Sequence, residues 1–318
     1  MGDKITLSIV IPTKNREKML DLCLQSIVDQ KAEESVYEVI VVDNGSTDNT
    51  HKIATSYQNR IKNFHYIYDA RPGLHVGRNR GMQESRGVLV GYLDDDVILF
   101  PDWINAVLKA FEDEQVMRVG GSVIPYDMNL LTKEFRKRHE VIKGSYHFIY
   151  CISCFWQRGI SENDKRVDLA KVDMGFGCNS VYRKNVLSEC KGFHPDGMPK
   201  NLLMYRGDGE TYVSQFMQKH KMKELYCAQA SVYHMIDANR IDDSYIDYMY
   251  FRNGISAMYT SLRVEGLREG IKSLYLECKG NGFKRRDRIH YLYGKLYLFI
   301  YYLFYKRVRK WVHKESYF

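Results

Sequence analysis

Residues 88–100 read Val88-Leu-Val-Gly-Tyr-Leu-Asp94-Asp95-Asp96-Val-Ile-Leu-Phe100, and the interpretation of the whole chain starts from this stretch. An apolar run that fits a buried strand ends in three consecutive carboxylates. Three adjacent negative charges repel one another, so burying them is costly unless a cation offsets them. Carboxylate oxygens at the exit of a strand are ligands that Mg²⁺ or Mn²⁺ prefers, usually together with phosphate. The alternative is an acidic turn before a helix that starts near Trp103.

Strands and helices alternate through the N-terminal half. Apolar, β-branched runs predict buried strands over residues 5–11, 37–42, 65–68 and 88–93, and the segments between them have helical periodicity. Ser46 or Thr47 is the predicted cap of the second helix. This order predicts an α/β fold with a Rossmann-like, doubly wound, mostly parallel central sheet and helices on both faces.

The second half is less regular. The pattern predicts strands over residues 117–124 and 228–233, a strand-to-helix transition over 181–187 and a helix over 210–220. From about Asp242 onward the pattern is helical.

Composition and charge are those of an ordinary globular protein with a basic tail. The chain has 318 residues, 45% hydrophobic and 27% charged, with a formal net charge of +8. Residues 279–318 hold eleven Lys and Arg against Asp287 and Glu315, so the positive excess belongs to this tail. Seven scattered cysteines predict reduced thiols; Cys151 and Cys154 form a CxxC pair without the second pair typical of zinc sites. No signal peptide opens the chain, so we expect a cytoplasmic protein.

The tail is also rich in aromatic residues. Residues 289–305 are dense in Tyr, Leu, Phe and Ile, and basic clusters at 284–288 and 306–310 flank them. At 1.5 Å per residue this stretch covers roughly 25 Å, which is marginal for a bilayer span. Apolar aromatic residues between Lys and Arg suit an anionic membrane surface, so we expect peripheral contact through residues 284–310. A helix packed on the main domain is the alternative.

Three polar clusters follow three of the predicted strands. They are residues 12–16, residues 43–46 and the acidic triplet 94–96. In an open α/β sheet, ligands bind beyond the carboxyl ends of the strands, so we expect all three clusters to line one crevice.

These clusters carry a family resemblance. Ser8-Ile-Val-Ile-Pro-Thr-Lys-Asn-Arg16, Val41-Val-Asp-Asn-Gly-Ser-Thr-Asp48, Gly77-Arg-Asn-Arg-Gly81 and Leu93-Asp-Asp-Asp96 closely resemble the family 2 glycosyltransferases. The resemblance implies a GT-A fold, inverting transfer from a nucleotide-sugar, and a cofactor Mn²⁺ or Mg²⁺. It covers roughly residues 5–240. On this basis we divide the chain into a glycosyltransferase domain, 1–240, and a helical C-terminal region, 241–318. Residues 1–120 are the nucleotide-binding half of the domain, and 121–240 the acceptor half.

The resemblance also implies roles for individual residues. The implied nucleotide-binding positions are Pro12, Thr13, Asn15, Arg16, Asp43, Arg78, Asp94 and Asp95. The implied metal ligands are Asp94 and Asp96, with His234 as a late histidine near the metal or diphosphate.

The resemblance also implies a general base near the start of a helix. The family places it in a Glu-Asp pair that opens a helix after a Gly-rich acceptor loop, which Met174-Gly-Phe-Gly-Cys-Asn-Ser-Val-Tyr-Arg183 resembles. Here Gly207-Asp-Gly-Glu-Thr211 replaces the pair. The helix that follows puts Glu210 at the base position, with Asp208 as the second choice. Both could instead simply cap the helix dipole.

The sequence therefore predicts a metal-dependent inverting glycosyltransferase. We expect a UDP-sugar donor and a glycan or lipid-linked acceptor, at the cytoplasmic face of a membrane, in cell-surface polysaccharide synthesis. A nucleotidyltransferase is disfavoured because residues 12–16 lack glycines, and a dehydrogenase because no G-x-G-x-x-G follows the first strand. Nucleic-acid binding is disfavoured because the basic charge is confined to the tail. A catalytically inactive scaffold stays open because Gly209 interrupts the acidic pair.

Overall fold

The computed structural model describes residues 5–130, 177–279 and 285–318. The strands are β1 (Leu7–Thr13), β2 (Tyr37–Asp43), β3 (Phe64–Tyr68), β4 (Leu89–Leu93), β5 (Val97–Leu99), β6 (Val116–Gly120), β7 (Val123–Pro125), β8 (Asn179–Arg183), β9 (Lys223–Tyr226) and β10 (Val232–His234). The α-helices are α1 (Glu17–Val28), α2 (Thr50–Ser56), α3 (Leu74–Glu84), α4 (Trp103–Ala110), α5 (Lys184–Glu189), α6 (Glu210–Lys219), α7 (Asp243–Val264), α8 (Gly266–Lys279), α9 (Arg285–Phe304) and α10 (Lys306–Val312).

The described strands form one large and one small sheet. The large sheet has the order β3-β2-β1-β4-β8-β6-β9, and only β8 runs against the other six strands. The small sheet has the order β5-β10-β7 and carries His234 at the end of its central strand. The predicted α/β fold with a mostly parallel sheet is thus confirmed.

Helices cover both faces of the large sheet, which explains why β1 and β2 are buried along their whole length and are mostly apolar. Because side chains alternate along a strand, Ile9 packs with α1 and α4 on one face, whereas Val10 packs with α3 and α6 on the other. This sandwich leaves the carboxyl ends of β1, β2 and β4 at one open edge.

Local predictions fail where the chain bends. Residues 117–124 were expected as one strand but form β6 and β7, because the chain turns at Gly121, where a Cβ would lie 2.0 Å from the Ala230 carbonyl oxygen. Residues 228–233 begin as a 3₁₀ turn, so that strand is only β10. The second helix starts at Thr50, and Asp48 rather than Ser46 or Thr47 accepts the Thr50 backbone N–H, at 3.0 Å.

The C-terminal helices form a bundle around α7. Helix α9 crosses α7 at Gly254 and Gly294, where the two backbones touch, and α8 packs beside both. Among the helices that the structure describes, none is long and apolar enough to span a membrane.

Some of the predicted features lie outside the described residues. These are Cys151 and Cys154, the start of the acceptor loop at Met174, and Lys284 of the first basic cluster. Cys23, Cys190 and Cys278 are free thiols.

Candidate active site

A crevice of about 490 Å³ opens at the carboxyl ends of β1, β2 and β4. Each of the three polar clusters contributes to its lining: the first through residues 12–14 and Arg16, the second through Asn44, and the third through the whole acidic triplet. Residues 197–200 and three side chains near the start of α7 form the opposite wall. The structure therefore brings the three clusters together, as their order in the sequence predicted.

The loop after β1 is fastened to its neighbours by side chains. Thr13 Oγ1 donates to Asp95 Oδ2 at 2.6 Å, which ties β1 to the acidic triplet. Asn15 has a left-handed backbone (φ 53°), a conformation that Asn tolerates better than most residues. Its side-chain oxygen accepts the Thr47 backbone N–H at 2.7 Å, and its backbone N–H donates to Ser46 Oγ at 2.9 Å. Asn15 thus joins two loops rather than lining the crevice.

Asp43 lies behind the crevice rather than on its surface. The residue is buried, and its carboxylate accepts hydrogen bonds from the Ser46 backbone N–H and the Tyr66 hydroxyl, both at 2.7 Å. Burial and this hydrogen bond to Asp43 raise the pKa of Tyr66. The neighbouring residue, Asn44, lines the crevice instead.

Asp96 is held by three cationic or hydrogen-bonding partners. Its Oδ2 lies 3.0 Å from Arg16 Nη1 and 3.3 Å from Arg240 Nη2. Its Oδ1 lies 3.1 Å from His234 Nε2. Burial alone would raise the pKa of Asp96, but the hydrogen bond with His234 and the two guanidiniums lower it.

The other two carboxylates of the triplet are less well compensated. Burial and the adjacent Asp96 raise the pKa of Asp95 to about 7. Burial also raises the pKa of Asp94, although Arg78 opposes the shift at 3.5 Å from its carboxylate. The Asp94 side chain is 27% exposed and faces the crevice.

A divalent cation therefore has two carboxylates to bind. In the described part of the chain, no group of three His, Cys, Asp or Glu side chains is arranged to hold a metal. Asp94 and Asp96 both line the crevice with carboxylate oxygens, and Arg16, Arg240 and His234 already contact those of Asp96. Burial is the main cause of the raised pKa of Asp94, and a bound cation would offset this cost of burying the charged carboxylate. Mg²⁺ commonly takes one or two carboxylates and completes its shell with substrate phosphate and water, so the residues fit such a site only together with a phosphate-bearing ligand.

Arg78 links the acidic triplet to the start of α6, because its guanidinium contacts both Asp94 and Glu210. The residue is 2% exposed, and its Nη1 lies 3.0 Å from Asp196 Oδ2 and 2.9 Å from Glu210 Oε2. The guanidinium lies among the carboxylates of Asp94, Asp196 and Glu210, and of these four residues only Asp94 lines the crevice. Burial would raise the pKa of Glu210, but the Arg78 charge outweighs it and lowers that pKa.

Asp196 is a site residue that the sequence analysis missed. It lies in a Pro-Asp-Gly segment, a pattern that favours a turn and gave no sign of a buried carboxylate. Burial raises its pKa to about 7. A Cβ at Gly209 (φ +53°) would lie 2.6 Å from Asp196 Oδ2, so the Asp196 carboxylate occupies the space that an acidic side chain at position 209 would need.

Asp208 faces away from the crevice. Its Oδ1 lies 2.9 Å from His194 Nδ1, and its Oδ2 accepts the Thr260 hydroxyl at 2.7 Å. Both oxygens are therefore engaged, and the second contact ties the start of α6 to α7. The Glu210 side chain is 24% exposed, whereas that of Asp208 is 2% exposed.

The second wall of the crevice supplies further cations that the sequence analysis did not single out. Lys200, Arg240 and Arg252 line it together with Tyr248. Arg252 lies over the Tyr248 ring at 5.8 Å. No local pattern in the sequence distinguishes these side chains from ordinary surface charges.

Comparisons with known proteins agree with this geometry. The profile of the family described as Glycosyl transferase family 2 matches residues 8–191. The chain is 33% identical over 118 residues to glycosyltransferase AglE of Haloferax volcanii, a match that covers 37% of this chain and 39% of AglE. The match covers well under two thirds of the length of AglE and of two other curated relatives.

Solved structures show the same fold. Residues 1–349 of S. aureus TarS, in complex with UDP-GlcNAc, superpose with a TM-score of 0.55 at 19% identity, covering 96% of this chain and 83% of that one. The mannosyltransferase PcManGT of Pyrobaculum calidifontis, in complex with GDP-Man and Mn²⁺, gives a TM-score of 0.53 at 16% identity, with coverage of 98% and 84%.

Proposed function

The chain belongs to glycosyl transferase family 2, with a GT-A-like α/β fold, and from this membership we propose that it transfers a sugar from a nucleotide-sugar to a hydroxyl acceptor with inversion. The proposal rests chiefly on one observation: the acidic triplet and the loops after β1 and β2 line a single crevice. TarS in complex with UDP-GlcNAc and PcManGT in complex with GDP-Man support a nucleotide-sugar as the ligand.

The donor in our proposal is a UDP-sugar bound with Mn²⁺ or Mg²⁺. Asp94 and Asp96 would hold the ion together with the diphosphate, and a bound ion offsets the charge that develops on the departing nucleoside diphosphate. Lys200 and Arg252 line the same crevice and lie where they can add positive charge near that diphosphate. Pro12, Thr13 and Arg16 would contact the nucleoside, and Asp43 would shape this pocket from behind.

Glu210 is the general base in this proposal. Its carboxylate takes the proton of the acceptor hydroxyl while the hydroxyl oxygen bonds to the anomeric carbon and the bond from that carbon to the diphosphate oxygen breaks. Arg78 holds Glu210 ionised, which a base requires. Asp208 is the weaker candidate because His194 and Thr260 engage both of its oxygens.

We place the reaction in polysaccharide-type synthesis, with a glycan or a lipid-linked acceptor at the cytoplasmic face of a membrane. A relative named chondroitin synthase, from Pasteurella multocida, supports the class of product, and the basic aromatic tail supports the location.

Calorimetric titration of UDP, GDP, CDP and dTDP, with and without Mn²⁺, tests the proposal. We expect metal-dependent binding of UDP and at least about tenfold weaker binding of the other nucleotides, a difference of about 1.4 kcal/mol. An Asp94→Asn variant is the matched control and should lose the metal dependence. Binding of none of the four nucleotides would contradict the proposal and favour an inactive scaffold.

A further inference from the structure

The C-terminal bundle exposes an unusual amount of apolar surface. Of the eighteen large apolar side chains that are exposed in the described residues, twelve lie between residues 264 and 305. Scattered exposed apolar residues are normal on a soluble protein, but a contiguous group marks an interaction site. The exposed apolar side chains lie mostly on α8 and α9, so these two helices are the part of the surface where we expect a partner to bind.

On α9 the exposed apolar side chains form one face. Tyr293 (63% exposed), Ile300 (49%) and Phe304 (76%) follow one another at helical spacing, with Ile289, Leu296 and Leu303 between and beside them. The opposite face of α9 is buried against α7 through Gly294, Leu298 and Tyr302. Because α9 already buries its inner face against α7, its outer apolar face is available to a partner.

Helix α8 repeats this arrangement. Leu267, Ile271 and Tyr275 are 43 to 56% exposed at i, i+4 spacing, while Gly270 on the inner side packs against Leu262 of α7. Lys295 of α9 forms a buried ion pair with Glu277 of α8 at 3.0 Å, which holds the two helices side by side. Both helices thus turn apolar faces away from α7.

The charge around these faces is positive. Exposed Lys306, Arg307, Lys310 and Lys314 follow α9 directly. On α8, Arg268 and Lys272 are exposed as well, and Lys272 pairs with Glu269 at 3.0 Å, so the positive excess lies mainly after α9. A second copy of the chain would bring these like charges together, whereas anionic lipid headgroups would neutralise them. Tyr and Phe next to basic side chains are also the composition of helices that lie in a membrane interface.

We infer that the outer faces of α8 and α9 form a lipid-docking surface that lies flat on an anionic membrane. The surface extends beyond the basic aromatic tail, because it includes α8. It is separate from the crevice, but α7 carries Tyr248 and Arg252 into the crevice and contacts α8 and α9 on its other side.

Cosedimentation of the full chain with vesicles tests this inference without any glycosyl transfer. We expect binding to vesicles that contain anionic phosphatidylglycerol, little binding to pure phosphatidylcholine, and weakening at high salt. The triple variant Tyr293→Gln, Ile300→Gln, Leu303→Gln should bind at least about tenfold more weakly, because three apolar side chains no longer enter the interface.

The matched control replaces exposed side chains of the same kinds elsewhere: Tyr68→Gln, Leu22→Gln, Val88→Gln, which should bind as the unmodified chain does. Unchanged binding by the α9 variant, or no binding by the unmodified chain, would overturn the inference. So would sedimentation velocity that shows a dimer of the unmodified chain and a monomer of the α9 variant. Because vesicle binding needs no donor, its failure would leave the proposed transfer reaction untouched.

Discussion

A single guanidinium, that of Arg78, contacts carboxylates from three separate parts of the chain. Asp94 comes from the end of β4, Asp196 from a loop and Glu210 from the first turn of α6. Because Arg78 is almost fully buried, each of these contacts operates with little screening by water. The protonation and position of Glu210 thus depend on Arg78 more than on the helix dipole.

Glutamine at position 210 separates chemistry from binding. Glu210→Gln keeps a hydrogen-bond acceptor for Arg78 but cannot take up a proton, so we expect kcat to fall by about 10²- to 10⁴-fold. UDP affinity, measured by calorimetry, should be unchanged. Asp208→Asn is the comparison: it should keep measurable turnover but lower the free energy of unfolding by about 1–3 kcal/mol, through its contacts with His194 and Thr260. A fully active Glu210→Gln variant would assign the base elsewhere.

His75 gives the protein an acid-sensitive stability. Burial, followed by the charges of His194, Lys314 and Arg78, lowers the pKa of His75 to about 4, from its usual value of 6.5. Asp95 and Asp196, whose pKa values burial raises to about 7, contribute stability as the pH falls. At His75, in contrast, the unfolded chain binds a proton between about pH 6.5 and pH 4 that the folded chain does not, so the contribution of His75 to stability falls as the pH falls. From pH 7 to pH 5 the loss is about 2 kcal/mol.

Urea unfolding of the unmodified chain and of His75→Gln at both pH values measures this effect. The variant should lose less stability on acidification, whatever its stability at neutral pH. Equal losses in the two proteins would show that His75 does not contribute. Burial also lowers the pKa of His194, so the stability of the His75→Gln variant should still depend on pH.

For individual residues, the sequence predicted which polar clusters lie at the crevice, but not which side chains form ion pairs or hydrogen bonds with each other. The positions after β1, β2 and β4 follow from strand order alone, because parallel strands end at one edge. The contact of Arg78 with Asp196 joins residues 118 positions apart, and no local pattern reports such a distance. Asp43 and Asn15 were expected at the nucleotide, yet their side chains bond within the loops.

Among the elements, the crossing of α7 and α9 depends on two glycines. A Cβ at Gly254 would lie 2.0 Å from the Tyr291 carbonyl oxygen, and one at Gly294 would lie 1.9 Å from that of Phe251. Both obstacles are backbone atoms, which cannot rotate aside. The helices approach closely only because neither position has a side chain.

We therefore expect Gly254→Ala or Gly294→Ala to lower the free energy of unfolding by about 2 kcal/mol or more, since the helices must move apart. Gly270→Ala is the control. A Cβ there meets the flexible end of Leu262 at 2.8 Å, and alanine favours the helix by about 1 kcal/mol over glycine. Thermal unfolding of the three variants measures the loss of stability. A similar loss for Gly270→Ala as for Gly254→Ala and Gly294→Ala would contradict the close crossing of α7 and α9.

Most element types follow from periodicity, and the errors share one cause. Helices α1, α6 and α7 and strands β1, β2 and β4 match their predicted positions, because each has a continuous pattern of burial. The chain divides at Gly121 because another backbone segment approaches there, and β5 and β9 are too short to show alternation. Tertiary contact, rather than local preference, decides those segments.

Over the whole molecule, the C-terminal helices are joined to the sheet region by contacts on several sides. Asp208 bonds to Thr260 of α7, Trp311 Nε1 donates to the Tyr205 carbonyl oxygen, and Asn79 of α3 donates to the Tyr317 carbonyl oxygen. At least these three hydrogen bonds therefore join the two regions, 1–240 and 241–318, into which the sequence analysis divided the chain.

Hydrogen exchange in low urea tests whether the two regions unfold together. Because of these contacts, we expect slow amides in β1 and β4 and slow amides in α7 and α9 to exchange with the same free energy and urea dependence. Removal of one contact by Thr260→Val should lower both together. Earlier exchange of α7 and α9 alone would identify residues 241–318 as a separate domain.

The arrangement around Arg78 has a consequence for how the sequence can change over evolutionary time. Loss of the guanidinium alone would leave three carboxylates facing one another, and an acid at position 209 would collide with Asp196. Neutral drift therefore cannot pass through single steps at these sites. Among descendants of a common ancestor, we expect positions 78, 196, 209 and 210 to covary, with an acid at 209 appearing only where 196 has become small.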